Sequence, residues 1–278
     1  MTLPQDTLHR IEPASDVISV VQLTDAHLCE SPGGTLLGMD TDHSLQSVVD
    51  LVRAEVPHID LLLGTGDLSD SGSSPAYARI EEQFSRLCKE SLWLPGNHDD
   101  RGHMEATVKS HRIGVGVRAG NWQILMLDSQ VPGKVGGRLG EPELMRLEAM
   151  LESGEAQGLH TLVCLHHQPV DIGCDWLDEQ KVADADAFFA VLDKFTGVRG
   201  VLWGHVHQEH DSVRGDVRLL ASPSTCVQFA PQSALFKADD KPPGYRRLNL
   251  HPDGRIETEV SRVRDVEFHV ELDSGGYL

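Results

Sequence analysis

No stretch of this 278-residue chain approaches the run of about 18 apolar residues that a membrane helix needs. The first sixteen residues, MTLPQDTLHRIEPASD, lack both a basic start and an apolar h-region, so a secretory leader is not expected. They read as a flexible N-terminal arm, residues 1–16. The cysteines Cys29, Cys88, Cys164, Cys174 and Cys226 are odd in number, widely spaced and free of any CxxC pair. That argues against a disulfide framework or a cysteine zinc site and fits a reduced, cytoplasmic chain. Basic residues are scarce as well, 24 against 43 acidic ones, for a formal net charge of −19. Such a surface repels a nucleic-acid backbone, so duplex binding is not expected, nor a membrane partner. A phosphate substrate stays compatible, because bound cations can reverse the field locally. Repeats, linkers and low-complexity tracts are also missing, which favours a single domain over residues 17–278.

What is there is an alternation. VISVVQLT, residues 17–24, is a β-branched run of the kind that forms a buried strand. Residues 42–56 carry apolar positions at helical spacing and are closed by Pro57. IDLLLGTGD (59–67) is a second strand and turn. SPAYARIEEQFSRLCKE (74–90) is a second helix, for which Ser74 can cap and Pro75 occupies the first turn. SLWLPGNHDD (91–100) is a third strand and turn. Strand, helix, strand, helix, strand at this spacing predicts parallel crossover units. A strand at 122–129, a helix at 141–152, a strand TLVCLHHQP, a helix at 182–193 and a strand VRGVLWGHVHQ continue the pattern. From about residue 215 the chain becomes strand-rich. Pro252-Asp253-Gly254 is expected to join two antiparallel strands, and these late strands to supply a second sheet.

The strand ends collect chemistry. Asp25 and His27 end the first; Gly66 and Asp67 the second; Asn97, His98 and Asp99 the third. His166 and His167, then Gly204, His205 and His207, end two later strands. A parallel arrangement would set all of them along one rim. Singly, each is weak: Asp25 could cap a helix, and His27 could be a satisfied polar group. Together they mix hard oxygen donors with imidazoles, which suits Mn, Fe or Zn. They exceed what one tetrahedral zinc takes. A pair of ions about 3.5–4 Å apart, sharing a carboxylate, would use them.

The order DxH, GD, GNHD, H, GHxH resembles the calcineurin-like metallophosphoesterase superfamily from about Val17 onward. LLGMDT (36–41), WLPGNHD (93–99), LDSQVPG (127–133), LHHQP (165–169), GHVHQE (204–209) and ASPSTCVQF (221–229) are similar to the bacterial class III cyclic nucleotide phosphodiesterases. The resemblance implies an α/β fold, a four-layer α/β/β/α sandwich of two mixed sheets. It implies two divalent ions per chain, Fe or Mn, with Zn also compatible. Asp25, His27 and His207 would hold one ion, Asp67 would bridge, and Asn97, His166 and His205 would hold the other. His98 would be catalytic beside the phosphoryl group, with Asp99 fixing its ring. Asn97, His98, His167 and His207 would contact substrate. The choice of His166 over His167 as ligand rests on alignment to the following proline, and the two could be exchanged.

The implied reaction is metal-dependent hydrolysis of 3′,5′-cyclic AMP to 5′-AMP by a metal-bridging hydroxide attacking phosphorus. Broader action on 2′,3′-cyclic nucleotides or glycerophosphodiesters is the alternative, and a non-catalytic protein-binding scaffold a third reading. In the protein Ser/Thr phosphatases the bridging motif continues GDxVDRG; here it reads GDLSDSG, with Ser71 at the Arg position. That departure counts against a phosphoprotein substrate. Arg118, Lys134 and Arg138 read as solvated loop residues rather than phosphate clamps. Leu36, Leu37, Pro223–Cys226 and Trp176 could wall a base pocket or lie in the core. A homodimer is compatible with the sequence.

Overall fold

Val20 and Val21 are neighbours in the chain, and both are completely buried. Successive strand residues point to opposite faces, so a strand like this must be covered on both sides. The computed structural model, which describes residues 8–108 and 113–276, shows what covers it. Val20 joins an apolar layer with Leu61, Leu63, Leu92 and Leu94 against Ile124, Leu162 and Leu202. Val21 lies instead with Leu45, Val48, Val49, Tyr77 and Ile80.

In chain order the first half contains β1 (His9–Ile11), β2 (Ile18–Leu23), β3 (Thr35–Leu36), β4 (Met39–Asp40) and α1 (Thr41–Glu55). Then come β5 (Leu61–Thr65), α2 (Ser74–Ser85), β6 (Ser91–Leu94), α3 (Arg101–Thr107), β7 (Gly116–Ala119) and β8 (Trp122–Met126). The middle holds α4 (Gly140–Glu155), β9 (His160–Cys164), α5 (Asp175–Asp178), α6 (Ala185–Leu192) and β10 (Val198–Trp203). The chain closes with β11 (His210–Arg214), β12 (Val217–Ala221), β13 (Gln228–Phe229), β14 (Ala238–Asp239), β15 (Gly244–Leu250) and β16 (Ile256–Arg262).

The strands form a five-stranded sheet, β16-β15-β2-β5-β6, and a seven-stranded sheet, β1-β7-β8-β9-β10-β12-β11. Both are mixed: β2, β5 and β6 run parallel with β15 antiparallel, and β8, β9, β10 and β12 run parallel with β7 and β11 antiparallel. Helices α1 and α2 cover the outer face of the smaller sheet. Helices α4 and α6 cover the larger one through Leu147, Leu151, Phe188 and Leu192 against Val163, Val201 and Trp203. Four layers, α/β/β/α, result.

Helix α1 follows from its sequence. Asp40 caps it by accepting from the His43 amide, and Leu45, Val48, Val49 and Val52 bury one stripe. Helix α2 differs slightly from expectation: its N-cap is Ser73, not Ser74, and the cap makes no side-chain bond. Pro75 still occupies the first turn, where its missing N–H costs nothing.

Three larger expectations are corrected. The arm expected over residues 1–16 is anchored from His9 on, because β1 pairs with β7 and the Ala14 amide donates to Asp60 Oδ1 at 2.8 Å; residues 1–7 lie outside those described. The late strands do not together complete the second sheet. β12 joins the larger sheet, but β15 and β16 form the expected Pro252–Gly254 hairpin on the open edge of β2, where Leu248 and Leu250 enter the layer between the sheets. Arg118 is no loop residue: it lies buried in β7 and donates to Gln157 Oε1 at 2.8 Å. Lys134 and Arg138 are exposed, as expected. The two sheets are also tied by a buried cation. Arg246 of β15 donates to the Ala221 carbonyl at 2.6 Å and to Thr258 Oγ1 at 3.1 Å, and burial lowers its pKa to about 10.

Candidate metal centre

The strand ends do not share one rim. Asp25 and His27 follow β2, Asp67 follows β5, and Asn97, His98 and Asp99 follow β6, all in the smaller sheet. His166 and His167 follow β9, and His205 and His207 follow β10, in the larger one. The two sheets bring their carboxyl ends together, and the site forms at the junction. Backbone bonds zip the loops of the smaller sheet: Asp25 N to Gly66 O at 3.0 Å, His27 N to Asp67 O at 2.9 Å, Leu28 N to Leu68 O at 3.0 Å.

The backbone is strained where the donors sit. Asp25, His27, Asp67, His205 and His207 have φ of 53°, 44°, 48°, 64° and 49°. Left-handed conformations at non-glycine residues are costly and gather at functional sites. The glycines before the donors let the loops approach. A Cβ on Gly96 would lie 2.2 Å from Asp67 Oδ1 and 2.7 Å from His166 Cε1. One on Gly66, itself at φ +94°, would lie 2.4 Å from His166 Nδ1.

The donor atoms converge in overlapping groups. Asp25, His27 and His207 bring ligand-type atoms within 4.8 Å of one another; so do Asp25, Asp67 and His166, and so do His166, His167 and His205. His207 donates from Nδ1 to the Val227 carbonyl at 2.6 Å, and His166 from Nδ1 to Thr65 O at 2.8 Å. Each ring is thereby fixed with a bare Nε2, the arrangement typical of metal-binding imidazoles. Phe229 stacks on the His207 ring, centroids 4.1 Å apart. His27 Nδ1 lies 3.6 Å from Asp70 Oδ1. Asp67 Oδ2 stands 3.2 Å from His166 Nε2 and 3.8 Å from His27 Nε2, between the two halves of the site. Asn97 Oδ1 lies 3.3 Å from His166 Nε2.

This donor set fits divalent cations. His27 Nε2 and His207 Nε2 face each other at 3.2 Å, with Asp25 Oδ1 3.5 Å from His207 Nε2. The bond from His207 Nδ1 leaves a lone pair on its Nε2, directed at the His27 ring and available to a cation. Nearly every donor is buried, while Asn97 and His98 are partly exposed.

Three residues depart from what the sequence suggested. Asp99 does not spend its carboxylate on His98. It accepts from the amides of Gly96 (2.9 Å), Leu68 (3.2 Å) and Ser69 (3.0 Å) and from the Tyr77 hydroxyl (2.9 Å). The reason is position: the turn after Gly96 points Asp99 back under the Asp67 loop, so it braces two loops. The His98 ring is held instead by the Asp70 carbonyl, 2.9 Å from Nδ1. His167 has both ring nitrogens engaged, Nδ1 with Ser129 Oγ at 2.8 Å and Nε2 with Val135 O at 2.9 Å. Burial pushes its pKa down to about 3, and with Nδ1 facing a hydroxyl and Nε2 a carbonyl the ring is neutral. Neither nitrogen is offered to an ion or a substrate.

The protein's own groups polarise the site. Burial would raise the pKa of Asp67, but His166, His98 and His27 outweigh it and hold the carboxyl well below its usual range. Burial would lower that of His98, but Asp67, the Asp70 carbonyl and the Asp70 carboxylate outweigh it and raise it. His205 is driven well down by burial.

Of the residues suggested for a base pocket, Leu36, Leu37 and Cys226 sit in a buried cluster with Met39, Val227 and Ala238, which is core. Trp176 is half-buried against Phe229 and Phe236. A polar cavity of about 330 Å³ does open beside His207, walled by Glu209, Phe229, Asp239, Lys241 and Arg262 among others. Two contributors went unnoticed in the sequence. Asp70 was visible inside GDLSDSG, and Gln130 inside LDSQVPG. Gln130 Nε2 donates to the carbonyls of Gly96 at 2.7 Å and Asp99 at 2.6 Å, clamping the third turn.

Comparison with known proteins agrees with this geometry. Residues 18–209 match the family model described as calcineurin-like phosphoesterase. A 3′,5′-cyclic adenosine monophosphate phosphodiesterase, CpdA, of Pseudomonas aeruginosa is 47% identical over 271 residues, covering 97% of this chain and 99% of that protein. The protein of the same description from Escherichia coli K12 is 41% identical over 263 residues, covering 94% and 95%. Among solved structures, a dimetal phosphatase from Danio rerio superposes with a TM-score of 0.63 at 15% identity, covering 89% of this chain and 99% of that one. A purple acid phosphatase from yellow lupin gives 0.65 at 13% identity, covering 91% and 53%. At such identities the structural likeness speaks for the fold alone.

Proposed function

The chain belongs to the calcineurin-like phosphoesterase family, and on that premise we propose that it is a metal-dependent phosphodiesterase hydrolysing 3′,5′-cyclic AMP to 5′-AMP. The observation that carries the substrate is the 47% identity to a cyclic AMP phosphodiesterase over nearly the full length of both chains. The metal requirement is supported by the facing imidazoles and carboxylates at the junction of the sheets.

Asp25, His27 and His207 would hold one ion, Asn97, His166 and His205 the other, with Asp67 placed to be shared. The ions would be iron or manganese, with zinc also compatible with the donors. When bound, they would supply positive charge against the phosphoryl oxygens and lower the pKa of a water nucleophile. The remaining work falls to the chain. Asn97 and His98, on the open side, meet the phosphodiester, with His207 at the far side of the centre. The leaving group is the ribose 3′-oxygen, a poor one. His98, oriented through Nδ1 by the Asp70 carbonyl, presents Nε2 to it and donates the proton. Asp99 acts through Gly96, Leu68 and Ser69, keeping the Asp67 and Asn97 loops in register.

Liquid chromatography of the manganese-loaded protein with 3′,5′-cyclic AMP, 2′,3′-cyclic AMP and a glycerophosphodiester tests the reading. We expect 5′-AMP as product and the 3′,5′ substrate to be preferred. Equal rates on all three would leave only a broader phosphodiesterase. The scaffold reading is disfavoured, since no ligand residue is lost. The chain acts as one domain that takes in β1 as well as the residues from 17 on, because the site draws on both sheets and β1 pairs into the larger one. Among the described residues, no helix is long and apolar enough to cross a membrane. The acidic chain works in the cytoplasm on a small cyclic nucleotide without duplex nucleic acid. Its sedimentation behaviour would tell a monomer from a homodimer.

A further inference from the structure

His205 is held differently from His166 and His207. His166 and His207 are each fixed at Nδ1 by a backbone carbonyl, of Thr65 and Val227. His205 is fixed at Nε2, by the side chain of Gln180, whose Oε1 lies 3.0 Å away. An amide oxygen can only accept, so the ring nitrogen facing it must carry the proton. The other nitrogen, Nδ1, is then the one left bare.

Gln180 comes from a distant part of the sequence, just past α5, and its loop is braced on several sides. The Gln180 amide donates to Leu177 O at 2.9 Å, and its carbonyl accepts from Gly137 N at 3.2 Å. Gly137 in turn accepts from Ala183 N at 2.8 Å, and Gln168 Nε2 donates to Leu177 O at 2.6 Å. Asp178 accepts from the amides of Ile172 (2.7 Å), Gly173 (3.1 Å) and Cys174 (3.1 Å), closing the turn before it. The amide is therefore delivered to His205 from a rigid support, at no new cost in backbone order.

We propose that Gln180 is a positioning residue for the second ion: its Oε1 fixes the His205 tautomer and ring orientation so that Nδ1 faces the ion. This rests on the two-ion reading above. Partners of ligating imidazoles at this remove set ligand basicity and orientation, and their loss typically weakens metal binding roughly 10–100-fold. Because the contact is side chain to side chain, it can be removed while the loop's backbone bonds stay in place.

The test uses zinc binding by competition with a chromophoric chelator, on wild type, Gln180→Met and Gln180→Glu. Methionine keeps the length without the acceptor; glutamate keeps an oxygen that accepts. Wild type should bind two ions. Gln180→Met should bind one with unchanged affinity and the other roughly 10–100-fold more weakly, while Gln180→Glu should stay within a few-fold of wild type. Long-range ¹H–¹⁵N spectra of the zinc-loaded wild type should show the His205 proton on Nε2. Fewer than two ions in wild type would defeat the two-ion reading itself. Two ions in wild type and unchanged binding in Gln180→Met would overturn the inference alone. So would equal losses in Met and Glu, which would mean that the amide acts as a donor, or a His205 proton found on Nδ1.

Discussion

His27 Nε2 and His207 Nε2 face each other across 3.2 Å, though one follows β2 of the smaller sheet and the other follows β10 of the larger. A cation held by both would join the two sheets. Metal binding to the native state alone therefore stabilises the fold. With free metal about 1,000-fold above the dissociation constant the gain is about 4 kcal/mol. Chelation should lower the melting temperature by about 10 °C for a chain of this size, and added manganese should restore it. His207→Ala should melt lower and show a smaller response to metal. A melting curve indifferent to chelator in the wild type would contradict a cation at this place.

Gly96 is held to glycine by space, not by a left-handed backbone. The methyl of Gly96→Ala would fall 2.2 Å from Asp67 Oδ1 and 2.4 Å from Asp67 N. Relieving that overlap displaces the shared carboxylate or the third turn, at about 1–3 kcal/mol. If the shift is taken by Asp67, metal affinity should fall about 10–100-fold. Calorimetric titration with manganese reads it. Alanine at Gly133, where a Cβ would meet nothing within 4 Å, is the control for the substitution itself, although its φ of +71° adds a small strain.

Asp99 and His98 are adjacent, yet their variants should fail in different ways. Asp99→Asn loses charge-assisted bonds from Gly96, Leu68, Ser69 and Tyr77, and should cost about 2–4 kcal/mol of stability. Tyr77→Phe, which removes one of those bonds, should cost about 1 kcal/mol. Urea titration checks both. Had Asp99 acted by orienting the His98 ring, its variant would lose turnover with stability intact, and that result would refute the bracing role.

How much of this was legible in the sequence depends on what each residue needed. The donors were visible because chemistry dictates residue type, and a polar residue closing an apolar strand stands out. The layers were visible because strands covered on both faces must read as continuous apolar runs, as in Ile18–Leu23. The assignment of β15 and β16 to the smaller sheet was not, since which open edge a hairpin covers is decided by contacts far along the chain. The role of Asp99 was misread because adjacency in sequence was taken for adjacency in space. A tight turn sends neighbouring side chains apart, and Asp70, a full loop away, reaches His98 instead. Gln180 left no signal: nothing about a glutamine in a polar loop says which histidine it meets.

His98 is assigned the leaving group and no metal, so its loss should depend on the leaving group. His98→Ala should bind metal as the wild type does. On 3′,5′-cyclic AMP, whose departing alkoxide needs a proton, kcat should drop about 10²–10³-fold. On a bis(p-nitrophenyl) phosphate ester, whose phenolate leaves unaided, the drop should shrink to a few-fold. Equal losses on the two substrates would place His98 in phosphoryl binding rather than proton donation.

Asp60 gives a dependence on pH far from the centre. Its carboxylate accepts from the Ala14 and Ser19 amides, each at 2.8 Å, and lies 2.8 Å from His58 Nε2. Burial alone would raise its pKa, but these partners outweigh it and lower it below the ordinary 3.8. A carboxyl depressed in the folded state binds its proton more readily in the unfolded chain. Its stabilisation is thus complete above the unfolded value and is lost as pH falls through the folded one. Asp60→Asn should therefore be less stable than wild type by about 1–3 kcal/mol at pH 7. The gap should stay level down to about pH 5 and close as pH drops below 3.8. Urea titrations of both proteins across that range read the gap directly. A gap that stayed level in acid would mean that the tether between residue 60 and the 14–19 segment does not depend on the ionised carboxylate.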